Sequence, residues 1–386
     1  MLLSPAHKSR RRFLLFLSGI VCLILFVFLI DRALAIYLNK TDYFTAMTAD
    51  SFHIMDTKEF STSFRISSQG LRNRNVVMPK PKGTYRILAV GDSFTYGWGV
   101  SEEEKWTTLL EKKYQETGQK VEIINAGIPG YDLGAYIHAC QSYKSRFDID
   151  SVIVGFYSYE DLDQLAAIEA NKNQLTKFLE KTFPTLIRLR QPLIGPLFEQ
   201  NSNESKNINV STSWKKWINV IIAQYPAILK KIEPAVKMDL LEGKINANLV
   251  AIAAADPDYW LRALNDRDLE YIKRLFYKEL NRLKKNCAYN NPLYFLMIPS
   301  METVSKDYFP GRSGLGYNID DRLLTIDLDG LLKTPVTETG FIYLSLLPDF
   351  RSDGCPNCYY LWDSHLTSTG HIRVADYLYR ELPKKF

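Results

Sequence analysis

Three short apolar runs separated by single helical segments leave this chain little freedom of architecture. Arg86-Ile87-Leu88-Ala89-Val90-Gly91 suits a strand buried on both faces, and Lys120 to Ile124 and Ser151-Val152-Ile153-Val154-Gly155-Phe156-Tyr157 supply two more. Residues 103–116, with Trp106, Leu109, Leu110 and Tyr114 on one side, and residues 133–147 read as the intervening helices. Strands joined by single helices require right-handed crossovers, so a parallel sheet is expected. The alternation stops near Leu162 and resumes with a fourth strand at Pro292 to Pro299. A fifth strand at Phe341 to Leu346 and a closing helix from Gly370 to Leu382 follow. Between 162 and 290 helical periodicity prevails, broken near Pro192, Pro196 and the polar stretch Asn201 to Asn209.

One α/β domain, 81–161 and 291–386, is therefore expected to carry a helical insertion, 162–290. Residues 38–80 read as an extended linker ending in Pro79-Lys80-Pro81-Lys82-Gly83. Ahead of it, 13–37 reads as a transmembrane anchor and 1–12 as a basic tail. Phe13 to Ile30 holds no charge, and its 18 residues rise about 27 Å as a helix, enough to cross the hydrocarbon layer. Lys8, Arg10, Arg11 and Arg12 keep the N-terminus cytoplasmic, which makes this a single-pass protein with its folded domain extracytoplasmic. Ala33-Leu34-Ala35 has the small-x-small pattern of a cleavage site, so a cleaved signal peptide is the competing reading. The length of the run, and Asp31-Arg32 lying before that site, favour an uncleaved anchor. The net charge is +5; the four basic residues account for most of it, leaving about +1 and no drive toward nucleic acid.

Cys22 lies within the apolar run. Of Cys140, Cys287, Cys355 and Cys358, the Cys355-Pro-Asn-Cys358 pair is expected to close a small disulfide loop in an oxidising compartment. No second ligand pair suggests zinc, and no G-x-G-x-x-G suggests a nucleotide, so no cofactor is expected.

In doubly wound sheets ligands bind at the carboxyl ends of the strands. Those ends carry Gly91-Asp92-Ser93, then Asn125-Ala126-Gly127-Ile128-Pro129-Gly130, then Ser158-Tyr159-Glu160-Asp161, and finally Asp363-Ser364-His365 before the last helix. A serine hydroxyl needs a neutral imidazole to take its proton before it can attack an ester. His365 is the candidate base for Ser93, with Asp363 to fix its tautomer and stabilise the imidazolium. Ser93 at the mouth of a helix can offer its own N–H to a developing oxyanion. As commoner alternatives, Ser93 could serve as a helix cap and Asp363–His365 as a surface ion pair.

Gly91-Asp92-Ser93, Asn125-Ala126-Gly127-x-x-Gly130 and Asp363-x-His365 resemble three of the four blocks of the SGNH (GDSL-type) hydrolases, in the same order. The resemblance covers about 80–161 and 290–386. It implies a three-layer α/β/α, flavodoxin-like domain with Ser93 as nucleophile and Gly130 as an oxyanion donor. The family's third block places an Asn before Asp at the end of strand three; here the pair is Glu160-Asp161. An ionised Glu160 has no proton to donate, so a hydroxyl from Tyr157, Ser158 or Tyr159 is expected to substitute. Asp363 stands two residues before the histidine, where many relatives have three.

The expected activity is hydrolysis of an acyl ester, such as acetyl, on a cell-envelope glycan, lipid or small molecule through an acyl-enzyme. Transfer of that acyl group to an extracytoplasmic polysaccharide uses the same intermediate and is the alternative. A non-catalytic scaffold or glycan-binding protein is the third reading.

Overall fold

The computed structural model describes residues 5–40, 47–158, 161–162, 179, 182–183, 185–186, 207–264, 266–287 and 292–384. The chain divides into two compact units: Met1–Phe44 with Glu169–Leu193, and Thr45–Ile168 with Ile194–Phe386.

In the first unit, helix α1 (Pro5–Lys40) contains a stretch, Phe13–Leu38, long and apolar enough to cross a membrane. Past the uncharged run, Asp31 is buried and accepts the Leu186 N–H (2.8 Å). Arg32 pairs with Asp31 and donates to the Thr182 carbonyl (3.3 Å). Part of the segment expected as insertion thus groups with the N-terminal helix.

The second unit is built on a five-stranded parallel sheet, as the sequence predicts. Strands β3 (Tyr85–Gly91), β4 (Val121–Gly127), β5 (Ser151–Tyr157), β7 (Leu293–Ile298) and β8 (Ile342–Ser345) lie in the order β4-β3-β5-β7-β8. All of β4, β5 and β7 is buried, which is why these runs lack the alternation of a half-exposed strand. Helix α3 (Trp106–Glu116) packs with α9 (Ser368–Glu381) on one face. On the other, α4 (Leu133–Phe147) packs with α7 (Asp266–Cys287), and α7 with α8 (Leu328–Glu338). Because β4 and β5 flank β3, the two crossovers leave on opposite faces and open a crevice at the carboxyl end of β3.

The stretch expected to be a linker, 38–80, instead carries an antiparallel hairpin, β1 (Phe52–Asp56) and β2 (Ser61–Arg65). Met55, Phe60, Phe64, Ile66 and Leu71 are buried in the core, each burial being worth about 1.5–3 kcal/mol. The Pro-Lys cluster at 79–83 masks this, because the apolar residues are spaced too widely to show a period. A short strand, β6 (Asn207–Asn209), pairs parallel with β1, so the insertion adds to this sheet before its helices α5 (Val210–Gln224) and α6 (Ala247–Ala255) begin.

Three glycines stand side by side across the sheet, Gly91 on β3 opposite Gly127 on β4 and Gly155 on β5. The single-turn helix α2 (Ser93–Tyr96) sits directly on them. A Cβ on Gly155 would lie 2.2 Å from the Thr95 hydroxyl oxygen, and one on Gly127 would lie 2.4 Å from the Tyr96 main-chain nitrogen. The second clash is with backbone and has no rotamer escape. Gly127→Ala is expected to destabilise by about 1–3 kcal/mol or more, read by thermal denaturation. A neutral result would mean that α2 does not rest on β4.

Candidate active site

Asp92 caps α2 by accepting the Phe94 N–H (2.9 Å), and Gly97, at φ 86°, closes the turn with its N–H on the Ser93 carbonyl. The helix after Ser93 is only one turn, so any oxyanion help from it comes from individual N–H groups and not from a summed dipole. Arg72, fully buried, caps the other end by donating to the carbonyls of Tyr96, Gly97 and Val100. Asn125 ties β4 to the same turn: its amide donates to the Thr95 carbonyl (2.7 Å) and accepts the Gly127 N–H (3.0 Å).

His365 approaches Ser93 from the loop before α9. Its Nε2 lies 2.6 Å from the Ser93 Oγ, and its Nδ1 lies 2.5 Å from Asp363 Oδ1. The two-residue spacing works because Ser364 adopts φ 70°, turning the acid back toward the imidazole. That turn is locked by the Tyr360 N–H on the His365 carbonyl and the Ser364 N–H on the Tyr360 carbonyl, each 2.9 Å. Asp363 is buried, and its second oxygen receives long contacts from Trp98 Nε1 and from Asn246 Nδ2, both 3.4 Å. Asn246 belongs to the insertion. The Phe94 ring lies against both the His365 ring (centroids 4.8 Å) and the Tyr157 ring (4.0 Å, stacked). Trp98 links the imidazole to Trp214 of α5 through ring contacts at 5.6 and 6.0 Å.

Of the residues expected at the site, Ser93, His365 and Asp363 converge. Gly130 sits exposed at φ 75° in a turn closed by the Tyr131 N–H on the Ile128 carbonyl, with Pro129 before it, a type II turn. Ser158 is buried and accepts the Ser300 N–H (3.3 Å). The Asp161 carboxylate accepts the Tyr157 N–H (3.0 Å) and the Tyr136 hydroxyl (3.1 Å). Tyr159 and Glu160 lie outside the described residues. Glu59, Asn246, Trp98 and Arg72 reach the site or its supports without any motif to announce them. Only the tertiary fold brings Glu59, Asn246 and Trp98 to residue 363, and Arg72 to the end of α2.

His371, next to Gly370, is buried and structural: its Nδ1 accepts the Trp106 N–H (3.2 Å), joining α9 to α3. Burial lowers its pKa to about 3, helped by the Arg72 and Lys105 charges; burial and Arg72 lower that of His53 to about 4. Both values fall below the ordinary 6.5, so the unfolded chain binds more protons in between. The stability these neutral imidazoles confer is present above about pH 6.5 and is expected to be lost as pH falls toward 4 and then 3. Calorimetric midpoints across that range test it; a midpoint indifferent to acid would contradict it.

The described cysteines outside α1 form two disulfides, Cys355–Cys358 as expected and Cys140–Cys287, which joins α4 to α7.

No protein-family model matches the chain, and no curated protein matches it. Solved structures similar to it are G-D-S-L lipolytic proteins and acetyl xylan esterases, the family its sequence blocks resemble. One is a lipolytic G-D-S-L family member from Veillonella parvula DSM 2008, at 10% identity and TM-score 0.36, covering 77% of this chain and 98% of that one. An acetyl xylan esterase, AlAXEase, matches at 12% and 0.37, covering 77% and 100%. The lipase/acylhydrolase from Enterococcus faecalis matches at 10% and 0.39, covering 77% and 94%. Likenesses this distant carry no argument for chemistry, which rests on the residues themselves.

Proposed function

We propose that this chain is a membrane-anchored serine esterase that cleaves a small acyl ester, such as acetyl, from a cell-envelope glycan or lipid. The observation that carries the reading is the continuous chain from Asp363 through His365 to the Ser93 hydroxyl, at 2.5 and 2.6 Å. In this mechanism His365 Nε2 takes the Ser93 proton as Oγ attacks the acyl carbon. The N–H groups of Ser93 and Gly130 hold the oxyanion, with a hydroxyl of the β5 loop as third donor. The tetrahedral adduct collapses by returning the proton from His365 to the leaving alcohol, and water, activated by the same imidazole, then releases the acid. Two disulfides fit an oxidising, extracytoplasmic compartment, and the basic residues before the apolar helix fit that orientation.

Contacts from the insertion favour keeping acyl transfer as a second reading, because Asn246 and Trp214 crowd the catalytic loop and limit water on that side. A fluorophosphonate probe should label the wild-type chain and not Ser93→Ala. p-Nitrophenyl acetate should be turned over to p-nitrophenol and free acetate without an acceptor if hydrolysis is the function; if transfer is, sustained p-nitrophenol release should need an added glycan, whose hydroxyl takes up the acetyl group. Equal labelling of wild type and Ser93→Ala would reject both enzymatic readings.

A further inference from the structure

We infer that Glu59, at the tip of the N-terminal hairpin, is a positioning residue for the catalytic acid, holding the main chain on which Asp363 is mounted. The inference rests on the assignment of Ser93, His365 and Asp363 above. One oxygen of Glu59, Oε2, accepts both the Trp362 N–H (2.9 Å) and the Asp363 N–H (2.8 Å). Nothing else described receives these two donors, and Asp363 is itself buried. The loop therefore takes its register from a side chain some 300 positions away in sequence.

Glu59 is in turn held fast. Thr57 Oγ1 accepts the N–H groups of Glu59 (3.2 Å) and Phe60 (3.1 Å), and the Thr57 N–H meets the Phe60 carbonyl (2.9 Å). The Phe60 ring leans on Tyr360 (4.7 Å), the residue that opens the acid–histidine turn, and the Tyr360 hydroxyl reaches the Gly99 carbonyl (3.0 Å). The insertion grips the same tip: the Lys58 N–H binds the Lys244 carbonyl (3.0 Å) and its ammonium pairs with Asp239 (2.5 Å). Hairpin, insertion and catalytic loop thus meet at one hairpin tip, which fixes the carboxylate as a rigid mount requires.

The charges facing Glu59 are unequal. Asp363 and the Tyr360 phenol face it from the catalytic loop, with His365 beyond Asp363. Lys58, on its own turn, is engaged by Asp239, and Glu104 acts on the same phenol. Burial pushes the Glu59 carboxyl up to about 7, against its main-chain donors, and the Asp363 charge adds to the rise. Protonation leaves Oε2 able to accept, so the mount persists while the charge beside Asp363 changes with pH.

Glu59→Gln keeps an acceptor oxygen and removes the titration, whereas Glu59→Ala removes both. In the full-length chain in detergent, Glu59→Ala is expected to slow fluorophosphonate labelling of Ser93, and kcat for p-nitrophenyl acetate, by on the order of 10²-fold with KM little changed. Glu59→Gln, which keeps an acceptor for the Trp362 and Asp363 N–H groups, should recover most of that loss. Amide hydrogen exchange over 360–366 provides a readout independent of activity: fast exchange at 362 and 363 is expected in Glu59→Ala only. Labelling of Glu59→Ala at the wild-type rate, a Gln variant as slow as the Ala variant, or unchanged exchange would each overturn the inference. Failure of wild type itself to label would instead overturn the Ser93 assignment, and the exchange comparison would still decide the mount.

Discussion

His365→Ala is expected to lower kcat for an activated acetyl ester by on the order of 10⁴–10⁶, with KM nearly unchanged. The imidazole is the only base within reach of the Ser93 hydroxyl among the described residues, at 2.6 Å, so without it the alcohol must attack as a neutral group. Ser93→Ala should lose about as much, and the double variant little more, because the two act as one unit. Asp363→Asn is a finer probe. It preserves shape but can hold the ring in the wrong tautomer, and a loss of about 10⁴ is expected. Burst and steady-state kinetics on the three variants check this. If His365→Ala loses no more than a substitution at an exposed helix position, the triad reading is gone.

Removing the Cys140–Cys287 disulfide should produce the largest fall in stability of any change outside the site. Its partners are 147 residues apart, and the chain-entropy relation for a loop of that size gives about 4–5 kcal/mol. For a unit of this length that corresponds to a drop in Tm on the order of 10 °C. Cys355–Cys358, separated by 3, restrains so little chain that the same relation gives only about 2 kcal/mol. Differential scanning calorimetry of the paired Cys→Ser variants should therefore separate the two bonds clearly. A Cys140→Ser/Cys287→Ser chain that melts with wild type would mean that the bond does not restrain the unfolded state.

The parts of the fold that could be read in advance were those with local signatures. β3, β5 and β7 are short, mainly apolar runs, β4 keeps Val121, Ile123 and Ile124 around Glu122, and α3, α4 and α9 carry a one-sided stripe, so each element declares itself locally. The hairpin at 52–65 escaped because its apolar residues are spaced too widely to show a period and its partners include β6, far along the chain. Ser93, Asp363 and His365 sit in recognisable blocks at strand and helix ends. Asp161, at the end of β5, accepts the Tyr136 hydroxyl and the Tyr157 N–H, contacts that its place in the sequence does not announce. Glu59 and Asn246 gave no sign at all, since their importance lies in where the backbone delivers them.

The glycine row beneath α2 also bears on how this protein can be diversified. The one-turn helix that begins at Ser93 rests through Thr95 and Tyr96 on bare main chain, with no yielding side chain below it, so it can drift only if whole strands shift. Libraries aimed at new acyl groups or acceptors would do best to keep 91, 127 and 155 invariant and spend their variation on the surrounding loops, where a change in shape need not reach the sheet.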